Sequence, residues 1–184
     1  MSFSIPITKN ITEINLQQGV FIFIHRASKV PPHIGMVVNG LLFEISTVGP
    51  GYTYKAIDLL KTAQKRGVEL IFLELKESAQ NPNELQETIT DLVKHYHKVD
   101  EEITCLFPIK DFIQEVYHVD VSKANFIFDL LPILYKNNCI TNGYEVNLTD
   151  KLKSSSFELK KYTKQDVDKC IAAVNRKNKL EVSC

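Results

Sequence analysis

"PPHIGMVVNGLLFEIS", Pro31 to Ser46, is the stretch from which the fold is read. Its central Asn39-Gly40 is a strong signal for a type I′ hairpin turn, because both central residues of that turn need positive φ. With a two-residue turn there, Val38 faces Leu41, Gly35 faces Glu44 and His33 faces Ser46. Side chains alternate across a strand, so Ile34, Met36, Val38, Leu41, Phe43 and Ile45 share one wholly apolar face, which must be core. The opposite face holds His33, Gly35, Val37, Leu42, Glu44 and Ser46. His33 and Glu44 are diagonal neighbours there, with Cα atoms roughly 7–8 Å apart and both side chains long enough to meet.

Two readings of that pair stand side by side. A carboxylate that accepts from one imidazole nitrogen fixes the tautomer and frees the other nitrogen to take a proton, which is the arrangement of a base and its orienter. Alternatively, the pair is a cross-strand polar contact on a half-solvated face, contributing a few tenths of a kcal/mol. Val37 and Leu42 argue that this face is covered as well, and buried polar groups need partners. Gly35, between the two, leaves room for a ligand to approach, which makes it a candidate binding position.

Outward from the hairpin, the first half of the chain reads as strand-rich. "VFIFIH" precedes it and "VELIFLEL" (Val68–Leu75) follows, with the helix "YKAIDLLKTAQKRG" between, ended by Gly67. "TVGPGY" reads as a Gly/Pro loop bordering Glu44, with Tyr52 as a candidate pocket residue. After "QNPN" the pattern turns helical. One amphipathic helix runs from about Asn83 to Lys98, and a second follows Pro108. A third begins near Ser122 and is disturbed at Pro132. The last is capped by Thr163 and carries Val167, Cys170, Ile171 and Val174 as an apolar stripe. The expectation is a single α+β domain over residues 1–184, an antiparallel sheet from the N-terminal half packed with helices from the C-terminal half.

The 184 residues carry 22 Lys+Arg and 22 Asp+Glu, so no basic stripe suggests nucleic acid as a partner. No apolar run approaches the roughly 20 residues of a membrane span. The start of the chain lacks the basic segment and apolar run of a signal peptide, so a cytoplasmic location with reduced thiols is expected. Cys105, Cys139, Cys170 and Cys184 show no zinc-type spacing, and no cofactor or metal is expected.

"HIG" at the head of a strand, a turn, and a strand ending "FEIS" resemble the circularly permuted NlpC-type papain-like proteins. That group includes bacterial amidases or peptidases and lecithin retinol acyltransferase. "QQGVFIFIHRASKVPPHIGMVV" also resembles the opening of the family, although Val20 stands where the family has Asp. The resemblance spans about Gly19 to Leu75. It implies a permuted papain-like fold and a cysteine peptidase-like hydrolase or acyltransferase acting on an amide or ester of a small molecule, peptide or lipid. It also implies a Cys nucleophile at a helix N-terminus facing His33, with Glu44 as orienter. By element order the counterpart helix is "VSKANFIFDLLPIL", yet Val121–Asn125 contains no cysteine. Cys105, in "ITCLFPIKDF" just before a helix, is the other candidate, where a helix dipole and an imidazolium would favour its thiolate. Cys170, on the stripe, reads as core. Two scenarios follow: Cys105, His33 and Glu44 form a working site, or the fold has lost its nucleophile and serves as a ligand- or protein-binding module.

Overall fold

The computed structural model describes residues 2–182, without the side chains of Lys9 and of residues 178–182. In chain order the strands are β1 (Ser2–Pro6), β2 (Lys9–Asn10), β3 (Val20–His25), β4 (His33–Val38), β5 (Leu41–Ser46), β6 (Gly49–Lys55), β7 (Leu70–Leu75), β8 (Ile140–Val146) and β9 (Ser156–Lys160). The helices are α1 (Glu13–Gln17), α2 (Ala56–Arg66), α3 (Pro82–Tyr96), α4 (Phe107–Tyr117), α5 (Ile127–Lys136) and α6 (Lys164–Val182). The fold is α+β. The main sheet runs β2-β8-β7-β3-β4-β5-β6, antiparallel except for the short β2–β8 pairing, and β1 pairs with β9 in a separate two-stranded sheet.

The hairpin has the register its turn dictates. Val38 pairs with Leu41, Val37 with Leu42 and Met36 with Phe43, while Asn39 and Gly40 take φ of 47° and 85°. Ile34, Met36, Val38, Phe43 and Ile45 join the larger core, with Ile89 and Val93 of α3, Phe112 and Ile113 of α4, and Leu130 and Leu134 of α5. Val37 and Leu42 belong to a second core on the other face, against Leu60 and Ala63 of α2 and Phe72 of β7. Both faces are therefore covered, and only the ends of the strands remain for a site.

Local chemistry fixes the helix ends. Asn81 and Glu84 form a capping box at the start of α3, and Gly67 ends α2 at φ 64°. Thr163 does the same for α6, its hydroxyl accepting from the Asp166 amide while its own amide donates to the Asp166 carboxylate.

Four expectations need correction. The sheet is not confined to the N-terminal half, because β8 lies against β7 and carries β2 beyond it. "TVGPGY" is a loop only at Thr47–Val48, which form a turn: Gly49–Lys55 is strand β6, paired with β5 through an irregularity between Leu42 and Glu44. Helix α5 begins at Ile127 rather than near Ser122, and it runs through Pro132 without breaking. Cys170 is exposed rather than core, because the α6 stripe faces a cleft.

Candidate functional site

The site forms where three segments end. His33 is the first residue of β4, and Glu44 lies late on β5. The registered β4–β5 pairing stops at Met36 and Phe43, so the strands carry these two side chains at the open end of the hairpin. There His33 Nε2 and Glu44 Oε2 are 2.6 Å apart, a formed hydrogen bond between half-buried groups. Gly51 of β6 lies opposite Glu44, and a Cβ at Gly51 would sit 3.2 Å from Glu44 Cγ. A side chain at position 51 would therefore crowd Glu44.

Cys105 arrives from the other side, through the segment between α3 and α4. The Val99 amide donates to the Ser46 carbonyl at 2.9 Å, which ties this segment to the end of β5. The Asp100 carboxylate accepts from the Glu102 and Ile103 amides at 2.8 Å each, and these bonds hold its pKa below the usual carboxylate range. The Thr104 carbonyl then accepts from the Phe107 amide at 3.1 Å as α4 begins. Cys105 is thereby held in the turn that leads into α4, half-buried. Among the described residues, the Cys105 amide N–H has no hydrogen-bond acceptor.

His33 is the shared member of the group. Burial disfavours its charged form, but the Cys105 thiol and the Glu44 carboxylate outweigh that penalty and push its pKa up to about 10. Glu44 occupies Nε2, so Nδ1 is the nitrogen left for the thiol. Hydrogen-bond geometry is met only on the Glu44 side; the thiol bears on the ring at longer range. His25, paired with His33 across β3 and β4, stands edge-on to it with ring centroids 6.5 Å apart. Burial, with the charges of His33 and Arg26, lowers the pKa of His25.

These groups open on a cleft of about 570 Å³. Its lining includes His33, Ile34, Cys105 and Leu106, with Ile127 and Tyr162 and the Val167, Ile171 and Val174 stripe of α6. Tyr162 escaped the sequence reading, since nothing local in "LKKYTKQ" points to a site. Burial, joined by the charges of Cys105 and Asp129, pushes its phenol pKa up.

Two expected binding residues are elsewhere. Gly35 offers no room: a Cβ there would meet the Phe23 ring at 2.5 Å and the Phe43 carbonyl oxygen at 2.7 Å. Tyr52 lines a different groove beside α3, with Lys94 Nζ 5.2 Å from its ring centre. Of the other thiols, Cys139 is buried and Cys170 lines the cleft, while Cys184 lies outside the described residues. Ser122 lies in a turn, its amide bonded to Asp120.

Among the described residues, no group of three or more His, Cys, Asp or Glu side chains is disposed to hold a metal ion. No helix among them is long and apolar enough to cross a membrane. Set against family models, curated proteins and solved structures, the chain matches none of them. The arrangement itself is a thiol and an imidazole lining a largely apolar cleft, with the Glu44 carboxylate behind the imidazole. Chemically, that set is equipped for nucleophilic acyl transfer.

Proposed function

We propose that the chain is a papain-like thiol hydrolase or acyltransferase of the permuted NlpC type, acting on an amide or ester bond. The observation that carries this reading is His33, held by Glu44 through Nε2, lining the same cleft as Cys105, whose thiol helps to raise the His33 pKa. In the scheme, His33 already carries its proton at neutral pH, Cys105 reacts as the thiolate beside that imidazolium, and Sγ adds to the substrate carbonyl carbon. The tetrahedral oxyanion that forms accepts a hydrogen bond from the Cys105 amide N–H, which is otherwise unpartnered. Collapse breaks the bond to the leaving amine or alcohol, which takes its proton from His33, and leaves a thioester on Cys105. Water, or an acceptor alcohol or amine, gives a proton to His33 and releases the acyl group. Glu44 keeps the imidazole oriented throughout and touches no reacting atom.

A second reading is a non-catalytic binding module on the same scaffold. It is favoured by the absence of cysteine from Val121–Asn125, the segment that matches the family's cysteine helix by element order. Incubation with p-nitrophenyl acetate followed by intact-mass analysis separates the two. A transient acetyl adduct on Cys105, absent from Cys105→Ser and from His33→Ala, supports the hydrolase. No adduct on Cys105 and unchanged p-nitrophenol release in both variants would sink it.

A further inference from the structure

Helices α2, α3, α4 and α5 each bury a face in one of the two cores, whereas Val167, Ile171 and Val174 of α6 belong to neither. Between Lys164 and Lys177 only Ile171 is buried. Two faces of the helix border open space. Val167, Cys170 and Val174 line the cleft that holds His33 and Cys105, and Asp168, Ala172 and Asn175 line a second cavity of about 1020 Å³. Ile171 lines both cavities, as do Thr47 and Val99. The apolar stripe thus rests on the rest of the chain through one buried side chain.

The other ties of α6 are all at its start. Tyr162 stands edge-on to Phe126 and Phe128, with ring centroids 5.2 and 5.1 Å away. Thr163 and Asp166 cap the first turn, and Lys164 Nζ donates to the Glu101 carbonyl at 2.6 Å. Beyond Lys164, among the described residues, no side-chain hydrogen bond or ion pair joins α6 to another element. Asp168 pairs with Lys164 and Arg176 donates to the Ala172 carbonyl, both within the helix. A helix fixed at one end and packed through one side chain lies at the low-stability end of a fold, from which lids are drawn.

We infer that α6 is a lid over the Cys105–His33 cleft, pivoting at Tyr162–Thr163 and latched by Ile171. With the latch seated beside Thr47 and Val99, the stripe of α6 restricts what reaches Cys105, and withdrawing Ile171 opens the cleft. As a statement about turnover, in which the lid admits substrate and then excludes water, this rests on the hydrolase reading. As a statement about access to Cys105 it does not.

Two maleimides of different bulk test it. In the full chain carrying Cys170→Ser and Cys184→Ser, Cys105 is the target, since Cys139 is buried. Peptide mass spectrometry gives the rate ratio of fluorescein-5-maleimide to N-ethylmaleimide at Cys105, set against the same ratio for glutathione. Both reagents need the same thiolate, so the ratio is independent of the coupling to His33 and of any turnover. It is expected to lie at least about tenfold below the glutathione ratio, because seating one Ile side chain favours the closed lid by about that factor. Ile171→Asp is expected to recover most of the deficit. Ile171→Ala recovers less, and it carries the test where a thermal melt shows Ile171→Asp unfolded. Lys169→Asp, on a face of α6 that lines neither cavity, should leave the ratio unchanged. A starting ratio equal to that of glutathione, no rise in the Ile171 variants, or an equal rise in Lys169→Asp would each overturn the inference. Acylation by p-nitrophenyl acetate is read separately, so the lid and the hydrolase reading fail independently.

Discussion

His33 and Glu44 are neither paired across the hairpin nor adjacent in sequence, yet their side chains meet at 2.6 Å. The diagonal across β4 and β5 makes the contact, and the end of the registered pairing at Met36 and Phe43 keeps it at the mouth of a cleft rather than on a packed face. A cross-strand polar pair serving only the sheet would need no third partner. Here the imidazole has one, in Cys105.

The first prediction concerns that third partner. Iodoacetamide labelling followed by peptide mass spectrometry should show Cys105 reacting faster than Cys170 at the same pH. His33→Ala should cut that rate at least about tenfold, because the thiolate loses its imidazolium. Cys170 is exposed and serves as the internal reference, since its reactivity should follow pH alike in both proteins. Identical Cys105 profiles in the two proteins would rule out the coupling.

The charge on His33 should report the same network. Burial lowers its affinity for a proton while Cys105 and Glu44 raise it, to a pKa of about 10. NMR titration should place His33 far above the ordinary histidine value. Glu44→Gln and Cys105→Ala should each bring it down, and the double variant should bring it lowest of all. Turnover in Glu44→Gln should fall by about 10²-fold, with the thiol still present and the imidazole no longer held in one orientation. A His33 that titrates near 6.5 in the native protein would contradict the whole arrangement.

Stability should follow from the same pKa. The folded value, about 10, lies above the unfolded value of 6.5, so the folded state holds the proton more tightly. The resulting stabilisation is complete below about pH 6.5, declines as pH rises, and is lost above about pH 10. Urea melts of wild type and His33→Gln should therefore differ most in mildly acidic solution and converge towards pH 10. A gap that widens with rising pH would mean that the sign is wrong.

Much of this was legible because it is local. Asn39-Gly40 fixes the hairpin register, and from the register follow the apolar face and the His33–Glu44 diagonal. Cys105 was legible from the helix begun beside Pro108, although its meeting with His33 depends on the Val99–Ser46 hydrogen bond, which no local pattern announces. What stayed hidden is non-local. β8 contains Asn142 and Gly143, poor strand formers that blur its period, and its evidence for being a strand is β7, far back in the chain. Gly35 reads as open space until Phe23 of the neighbouring strand fills it. The stripe on α6 was correctly placed on one face, but periodicity does not distinguish a face turned to a core from one turned to a cleft.

Gly35 yields a packing prediction. Gly35→Ala would put a methyl group 2.5 Å from the Phe23 ring and 2.7 Å from the Phe43 carbonyl oxygen, so ring and backbone must both move. The expected cost is about 1–3 kcal/mol, read in a urea melt, with partial recovery when Phe23→Leu is added. A neutral Gly35→Ala would mean that the β3–β4–β5 packing is looser than described.

Gly51 provides a subtler test, because it separates the position of Glu44 from its chemistry. A Cβ at Gly51 would lie 3.2 Å from Glu44 Cγ, so the side chain must give by a few tenths of an ångström, and 3.6 Å from Oε1, an ordinary contact; a larger side chain crowds Glu44 further. Gly51→Val introduces a good strand former, so the fold should hold while Glu44 is pushed off His33. The His33 pKa should then fall, and turnover should drop in the direction of Glu44→Gln although Glu44 is intact. Gly51→Ala, with a smaller side chain, should lie between Gly51→Val and wild type on both measurements. Because the effect is steric, adding Gly51→Val to Glu44→Gln should change little further, a non-additivity that independent sites would not show. Full additivity of the two would mean that Gly51 acts on stability alone and has no part in placing Glu44.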